Sequence, residues 1–147
     1  AAPSGGGTTP SVVFYSPNAP FVTGTTYNEL SRFALPEGSK GLLFLSAADA
    51  ALINPLATSD VLLVSHSPAD GTNFLSMFDL SGTQIGATST LAGFTAVEAL
   101  AWDSVNKRLF LGDEGGRTVS TILVPAPGAA ALVGLAGVAA VRRRRSR

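Results

Sequence analysis

The sequence predicts a mainly β fold of short antiparallel strands, followed by a C-terminal hydrophobic helix. Three observations lead to this prediction. Short apolar runs bounded by turn-forming residues recur along the chain, a segment of eight residues repeats at a spacing of 45, and an apolar stretch near the C-terminus leads into a cluster of arginines. The chain of 147 residues is long enough for one ordinary domain.

The apolar runs read SVVFYS, GLLFLS, DVLLVS and RLFLGD. Runs of four or five apolar residues between Gly, Pro, Asn and Asp suit strands that are covered on both faces. Apolar residues at helical spacing are scarce in this part of the chain. Residues 91–102 leave a short helix open as an alternative, although Gly93 and Thr95 are poor helix formers.

A sequence repeat organises these runs. NELSRFAL at 28–35 returns as NFLSMFDL at 73–80, with five of eight residues identical. RTVSTILV at 117–124 is a more divergent third copy at a spacing of 44. Upstream of the later copies, residues 52–55 before DVLLVS match residues 100–103 before KRLFLG in spacing.

The repeat predicts units of four short strands. A period of about 45 residues with four strands per unit is typical of a β-propeller blade. Residues 11–124 then hold about two and a half propeller-like blades. Two similar hairpins within a β-sandwich are the alternative.

The run ALAWDSVNKRLFLGDEGGRTVSTI resembles the blades of YVTN- or NHL-like propellers, and the likeness extends over residues 11–124. Closed propellers contain roughly four to eight blades, and an incomplete set exposes edge strands. The resemblance therefore implies either further blades in an upstream portion or an open stack of sheets.

Composition divides the chain into three parts. Residues 1–10, AAPSGGGTTP, predict a flexible lead-in. There is no initiator Met and no signal-peptide pattern here, so we expect either prior removal of a signal peptide or an origin within a longer reading frame. Residues 11–124 form the β-repeat region, and residues 125–147 form a separate tail. The absence of cysteine excludes disulfides, Cys-based zinc sites and thiol nucleophiles.

Charge is distributed unevenly although the formal net charge is zero. Five of the ten basic residues lie in the last six positions, so residues 1–141 carry five basic against ten acidic residues, a net charge of −5. An acidic body with a basic end is unlike a nucleic-acid binder, whose positive charge covers a docking face. Mean hydropathy of +0.33 predicts that part of the chain contacts lipid.

The tail has three elements in a fixed order. The first is a Pro-x-Pro motif, which stops the preceding strand and holds the chain extended for a peptide-binding enzyme. The second is an apolar run of fourteen residues, about 21 Å as a helix against a hydrocarbon core of about 30 Å. The third is an arginine cluster, predicted to stay cytoplasmic by the positive-inside rule. The motif is Val124, Pro125, Ala126 and Pro127, the apolar run is Gly128 to Val141, and the cluster is Arg142, Arg143, Arg144 and Arg145.

This arrangement resembles the PEP-CTERM sorting signal of exported bacterial proteins, with Ala126 where the family motif has Glu. The resemblance implies an exosortase-type processing enzyme as partner, transient membrane anchoring, and transfer to the cell surface or the extracellular space. A permanent tail anchor is the main alternative; a buried core helix and a nucleic-acid patch fit less well, since arginines directly follow the apolar run. The residues predicted to lie in the membrane are Gly128, Leu132, Val133, Leu135, Val138 and Val141.

No catalytic site is predicted. His66, the single histidine, has Ser65, Ser67 and Asp70 nearby in sequence, but a catalytic triad is assembled in space. We expect His66 to be a surface or hydrogen-bonded residue. One histidine and no cysteine also rule out a multi-His metal site within this chain.

Two further motifs have structural explanations. Residues 113–116, Asp-Glu-Gly-Gly, are predicted as a hairpin turn in preference to a calcium loop, because the spacing does not follow an EF-hand. Trp102 and Asp103 are expected to pack one blade against the next. The sequence thus predicts no metal and no cofactor.

The sequence as a whole predicts an exported, non-enzymatic bacterial protein of the cell surface or extracellular matrix, contacting a surface polymer or protein. One alternative is the C-terminal part of a propeller enzyme such as a lactonase or sugar-acid hydrolase. Another is a surface protein-interaction module with a permanent tail anchor.

Overall fold

A computed structural model describes residues 9–17 and 27–124 of the chain. Within these ranges the protein is mainly β, with nine strands, one short helix and three antiparallel sheets. The predicted fold class is confirmed at this level. In chain order the elements are β1 (Ser11–Pro17), β2 (Tyr27–Ala34), β3 (Ser39–Leu45), α1 (Ala47–Ile53), β4 (Val61–His66), β5 (Phe74–Asp79), β6 (Ser89–Thr90), β7 (Val97–Asp103), β8 (Arg108–Asp113) and β9 (Thr118–Leu123).

The strands form three layers. β1 and β2 make a hairpin, β3-β4-β5-β6 make a central sheet, and β7-β8-β9 make a terminal sheet. All four apolar runs lie in strands, namely β1, β3, β4 and β8. Residues 91–102 contain β7 and no helix, so the helical alternative for this segment is wrong.

The central sheet lies between the other two layers. Leu63 and Met77 on one face pack with Leu109 and Leu111 of the terminal sheet. The hairpin residues Val12, Phe14, Phe33 and Leu35 pack on the opposite face of the central sheet, against Leu62, Val64 and Phe78. Every residue of β4 is therefore buried, which explains its uninterrupted apolar sequence.

Coverage on both faces, predicted for all four runs, holds for β4 but not for β3. Leu42 and Phe44 of β3 are about half exposed. β8 shows alternation, with Leu109 and Leu111 buried and Phe110 between them only half-buried. The reason is position: β4 and β5 are the inner strands of the middle layer and have neighbours on both faces, whereas β3 lies at the edge of that sheet.

The helix α1 was not anticipated from the sequence. Ser46 caps its N-terminus by accepting a hydrogen bond from the Asp49 amide, while Asn54 ends it. α1 and the loop after it join β3 to β4, whereas a tight turn joins β7 to β8. The proposed match of residues 52–55 with residues 100–103 is therefore wrong, because the first segment ends a helix and the second lies in β7.

The three repeat copies fall on β2, β5 and β9, each the second strand of a hairpin. Phe78 in β5 and Ile122 in β9 are equivalent positions of the repeat. Phe78 faces the hairpin, and Ile122 pairs with the buried Leu109 on the face turned to the central sheet. The central and terminal sheets therefore turn their equivalent faces in the same direction, and the contact between them joins two non-equivalent faces. We call this arrangement head-to-tail packing.

The hairpin packs in a different way. Phe33 and Phe78 are the identical phenylalanines of the first two copies, and their ring centroids lie 6.2 Å apart. Equivalent faces of the two copies thus meet across this interface. The first copy does not continue the head-to-tail order of the other two.

The central and terminal sheets approach most closely where β7 lies against β3 and β4. The Ser65 hydroxyl accepts from the Gly41 amide at 2.9 Å and donates to the Val97 carbonyl at 2.7 Å. Gly41 permits this approach, because an added Cβ would lie 2.9 Å from the Glu98 carbonyl oxygen. One buried hydroxyl therefore links three strands.

The hydrophobic helix predicted for Gly128 to Val141 lies outside the described residues. The one helix of the described ranges, α1, has neither the length nor the apolar content needed to cross a membrane.

Candidate functional site

The tail leaves the body at the end of the terminal sheet. Val124, the first residue of the Pro-x-Pro motif, follows β9 and donates its amide to the Lys107 carbonyl at 3.0 Å. This contact fixes the exit point beside the β7–β8 turn. β9 lies at an edge of its sheet, and most of its side chains are exposed. The remaining predicted motif, membrane and arginine residues, 125–147, lie outside the described residues.

Next to the exit point, the terminal sheet has an apolar face that no described part of the chain covers. The register places Ala99, Gly112 and Val119 side by side on this face, followed by Ala101, Phe110 and Thr121. Val119 is 73% exposed, and Leu123 on the same face is 66% exposed. We call this surface the outer face. Exposed contiguous apolar surface commonly marks a contact with another segment, protein or membrane.

A carboxyl pair lies at the end of the outer face farthest from Val124. Glu98 pairs with Lys40 at 3.0 Å, and this interaction lowers the pKa of Glu98. The hydrogen bond with Glu98 raises the pKa of Glu114. Both glutamates and Arg117 line a crevice of about 350 Å³. Ionisation of one carboxyl group thus disfavours ionisation of the other, and positive charge placed beside the pair favours the ionised form of both.

His66 is fully buried and is hydrogen-bonded to Ser39. Of the two predicted alternatives, the hydrogen-bonded residue is therefore confirmed and the surface position is wrong. The Ser39 hydroxyl donates to the Pro36 carbonyl at 2.7 Å and accepts from His66 Nδ1 at 2.9 Å. The ring stacks on Phe74, with centroids 4.5 Å apart, and Nε2 has no hydrogen-bond partner among the described residues. Burial lowers the pKa of His66, so the neutral imidazole is favoured.

The polar residues beside His66 in sequence do not assemble a catalytic group. Ser65 serves the contact between β3, β4 and β7, while Ser67 donates to the Asn73 side chain at 2.6 Å. Asp70 accepts from the Thr72 amide in a turn. The residue that does contact His66 is Ser39, which is 27 positions away and carries no sequence signal for this role.

Residues 113–116 lie in and beside the turn between β8 and β9, as predicted. Asp113 is buried and accepts from the Ala96 amide at 2.7 Å and the Thr95 hydroxyl at 2.9 Å. The hydrogen bond from the Ala96 amide is the main cause of the lowered pKa of Asp113. Asp113 thus ties the start of β7 to the end of β8. Over the described ranges, no three His, Asp or Glu side chains form a group suited to a metal ion.

Trp102 is half-buried and packs against the apolar cluster between the central and terminal sheets. Asp103 accepts from the Val105 and Asn106 amides, both at 3.0 Å, and so shapes the β7–β8 turn. The predicted packing of Trp102 between layers is consistent with this position. Asp103 has a turn-forming role instead.

These observations define the class: a mainly β protein of three stacked antiparallel layers, with an apolar outer face and a tail leaving at its edge. No protein-family model, curated protein or solved structure matches the chain.

Proposed function

We propose that this chain is an exported, non-enzymatic bacterial protein of the cell surface or extracellular matrix. Its C-terminal segment is a sorting signal for an exosortase-type processing enzyme and is held in the membrane until processing. The arginines stay on the cytoplasmic side during that stage. The observation that carries the proposal is the order of elements in the tail: Pro-x-Pro motif, apolar run, arginine cluster.

The position of the motif supports this proposal. Val124 marks the end of the β8–β9 hairpin, so the motif begins where the last paired strand stops. An enzyme that binds an extended peptide needs a segment that is free of sheet pairing, and the two prolines lack the amide hydrogens for such pairing. Cleavage here would leave all three layers of the body intact.

The body supports a propeller-like arrangement for two of its layers. The central and terminal sheets are antiparallel meanders packed head to tail at a repeat spacing of 44 residues, as expected of successive blades. The like-face packing of the hairpin β1–β2 does not follow this order. We therefore propose two blade-like units capped by a hairpin, in an open stack.

A test of the sorting role uses a bacterium that has an exosortase-type enzyme and a matched strain from which the enzyme is deleted. We expect the mature C-terminus, measured by mass spectrometry, to lie near Pro125–Pro127 only when the enzyme is present. Pro125→Ala combined with Pro127→Ala should leave the tail uncleaved. Pro55→Ala, an exposed proline of the body, is the matched control and should be processed normally.

The topology is tested separately. Changing Arg142 to Arg145 into Glu should reduce correct orientation, measured with a periplasmic reporter fused to the body. An intact Arg147 in the secreted protein would refute processing. Unchanged reporter activity in the Glu variant would refute the role of the arginines.

A further inference from the structure

We propose that, before membrane insertion, residues 128–141 fold back over the outer face of the terminal sheet and bring the arginines to Glu98 and Glu114. In this state the tail covers the exposed apolar face of the body until the tail enters the membrane. This inference uses the apolar and cationic character of the tail, but it does not depend on processing by an exosortase-type enzyme.

The outer face has the character of a surface that needs a partner. Its equivalent on the central sheet, which includes Leu63 and Met77, is buried beneath the terminal sheet. On the terminal sheet the same face is uncovered, with Val119 and Leu123 largely exposed. Ala99 and Gly112 leave a shallow trough beside Val119, which suits a segment with small side chains.

The tail begins in the right place to reach this surface. Val124 lies at one end of β9, and the outer face extends back from there along the strand. A six-residue strand spans about 20 Å, and a fourteen-residue helix spans about 21 Å. In the proposed arrangement residues 125–127, kept extended by the two prolines, span about 10 Å and lift the chain from the edge of the sheet to the level of a helix on its face. A helix over residues 128–141 would therefore end near Val119, at the far end of the sheet.

The charged residues at the two ends of the outer face favour this orientation of residues 128–141. The far end carries the carboxyl groups of Glu98 and Glu114 and the buried Asp113, together with Lys40 and Arg117. At the near end Lys107 and Arg108 lie close to Val124, and they are balanced by Asp49 and Asp103. Arg142 to Arg145 would be favoured beside the carboxyl pair, where added positive charge stabilises both ionised glutamates. The body as a whole carries a net charge of −5, from five basic and ten acidic residues.

The experiment uses the full chain, which lacks cysteine and so accepts cysteine pairs without background. Val119→Cys combined with Val138→Cys places one thiol at the far end of the outer face and one in the apolar run. A short bismaleimide is added at low protein concentration without lipid. The product is assigned by mass as cross-linked within one chain or between two chains.

Two control pairs keep Val138→Cys and move the other thiol. Leu123→Cys lies on the same face but about 13 Å away, toward the exit point. Leu56→Cys is equally exposed but outside the terminal sheet. We expect the Val119 pair to cross-link at least about tenfold faster than the Leu56 pair, because docking gives a local concentration in the millimolar range or above. The Leu123 pair should be slower than the Val119 pair.

The possible results distinguish the tail of the same chain from a second copy as the segment that covers the outer face. Equal rates for the Val119 and Leu56 pairs would overturn the proposal, as would products formed only between chains, which would indicate a second copy on the outer face. Glu98→Gln with Glu114→Gln should slow the Val119 pair; an unchanged rate would overturn the proposed position of the arginines. Phosphatidylcholine–phosphatidylglycerol vesicles should lower the rate to that of the control. A rate unaffected by vesicles would count against membrane anchoring and leave the docking in place.

Discussion

Truncation of Leu111 to Ala is the sharpest test of the layered packing. Leu111 is 0% exposed and lies in the cluster between the central and terminal sheets. Leu→Ala removes three carbons, about 2.4 kcal/mol of transfer free energy at about 0.8 kcal/mol per methylene. The cavity left between two sheets adds to this, so we expect a loss of about 3 to 4 kcal/mol in the free energy of unfolding.

The matched control is Leu56→Ala, since Leu56 is 66% exposed. Because only about one third of Leu56 is buried, its truncation should cost about one third of the transfer free energy, less than about 1 kcal/mol. Urea unfolding of both full-chain variants, followed by fluorescence of the single Trp, measures the difference. With an m-value of about 2 kcal/mol/M, the midpoint of the Leu111 variant should fall by about 1.5 to 2 M. Equal midpoints for the two variants would refute the burial of Leu111 between two sheets.

Three further changes test other contacts. Gly82→Ala should destabilise the protein more than Gly71→Ala in the same urea assay: both glycines have positive φ, but an added Cβ at Gly82 meets a phenyl ring of the hairpin at 2.5 Å and one at Gly71 meets nothing within 4 Å. Ser65→Ala should cost about 1 to 3 kcal/mol, because it leaves a buried amide and a buried carbonyl unpaired; a change below 0.5 kcal/mol, roughly that of a surface substitution, would contradict this. Burial lowers the pKa of His66, so the unfolded chain binds the proton more readily, and stability should be full above pH 6.5 and fall as the pH drops below it. His66→Gln should reduce that pH dependence, and an identical pH profile in the variant would contradict the assignment.

The strand positions were predictable because burial leaves a direct trace in sequence. The run VLLVSH of β4 is buried at every position, and no solvated strand tolerates such a run. The repeat also located three equivalent strands, each the second strand of a hairpin, although the first copy packs differently from the other two. The missed helix α1 is short, and its capping serine and aspartate lie in a run of alanines that also reads as a loop.

Contacts between distant segments left no such trace. The hydroxyl of Ser39 reaches His66 only because β3 and β4 pair in this register, and Asp113 meets Thr95 only because β7 and β8 pair. The orientation of the hairpin β1–β2 is also invisible in sequence. Apolar residues along one face of a strand indicate that this face is buried, but they do not indicate which face of a neighbouring sheet covers it.

The hairpin gives the stack a polarity. Because like faces meet at Phe33 and Phe78, the first layer occupies the surface on which another head-to-tail unit would have to sit. Within the described residues, that face of the central sheet is covered by the hairpin, while the outer face of the terminal sheet is uncovered. A further unit in the head-to-tail order would therefore contact the outer face, on the side of the body where Val124 lies.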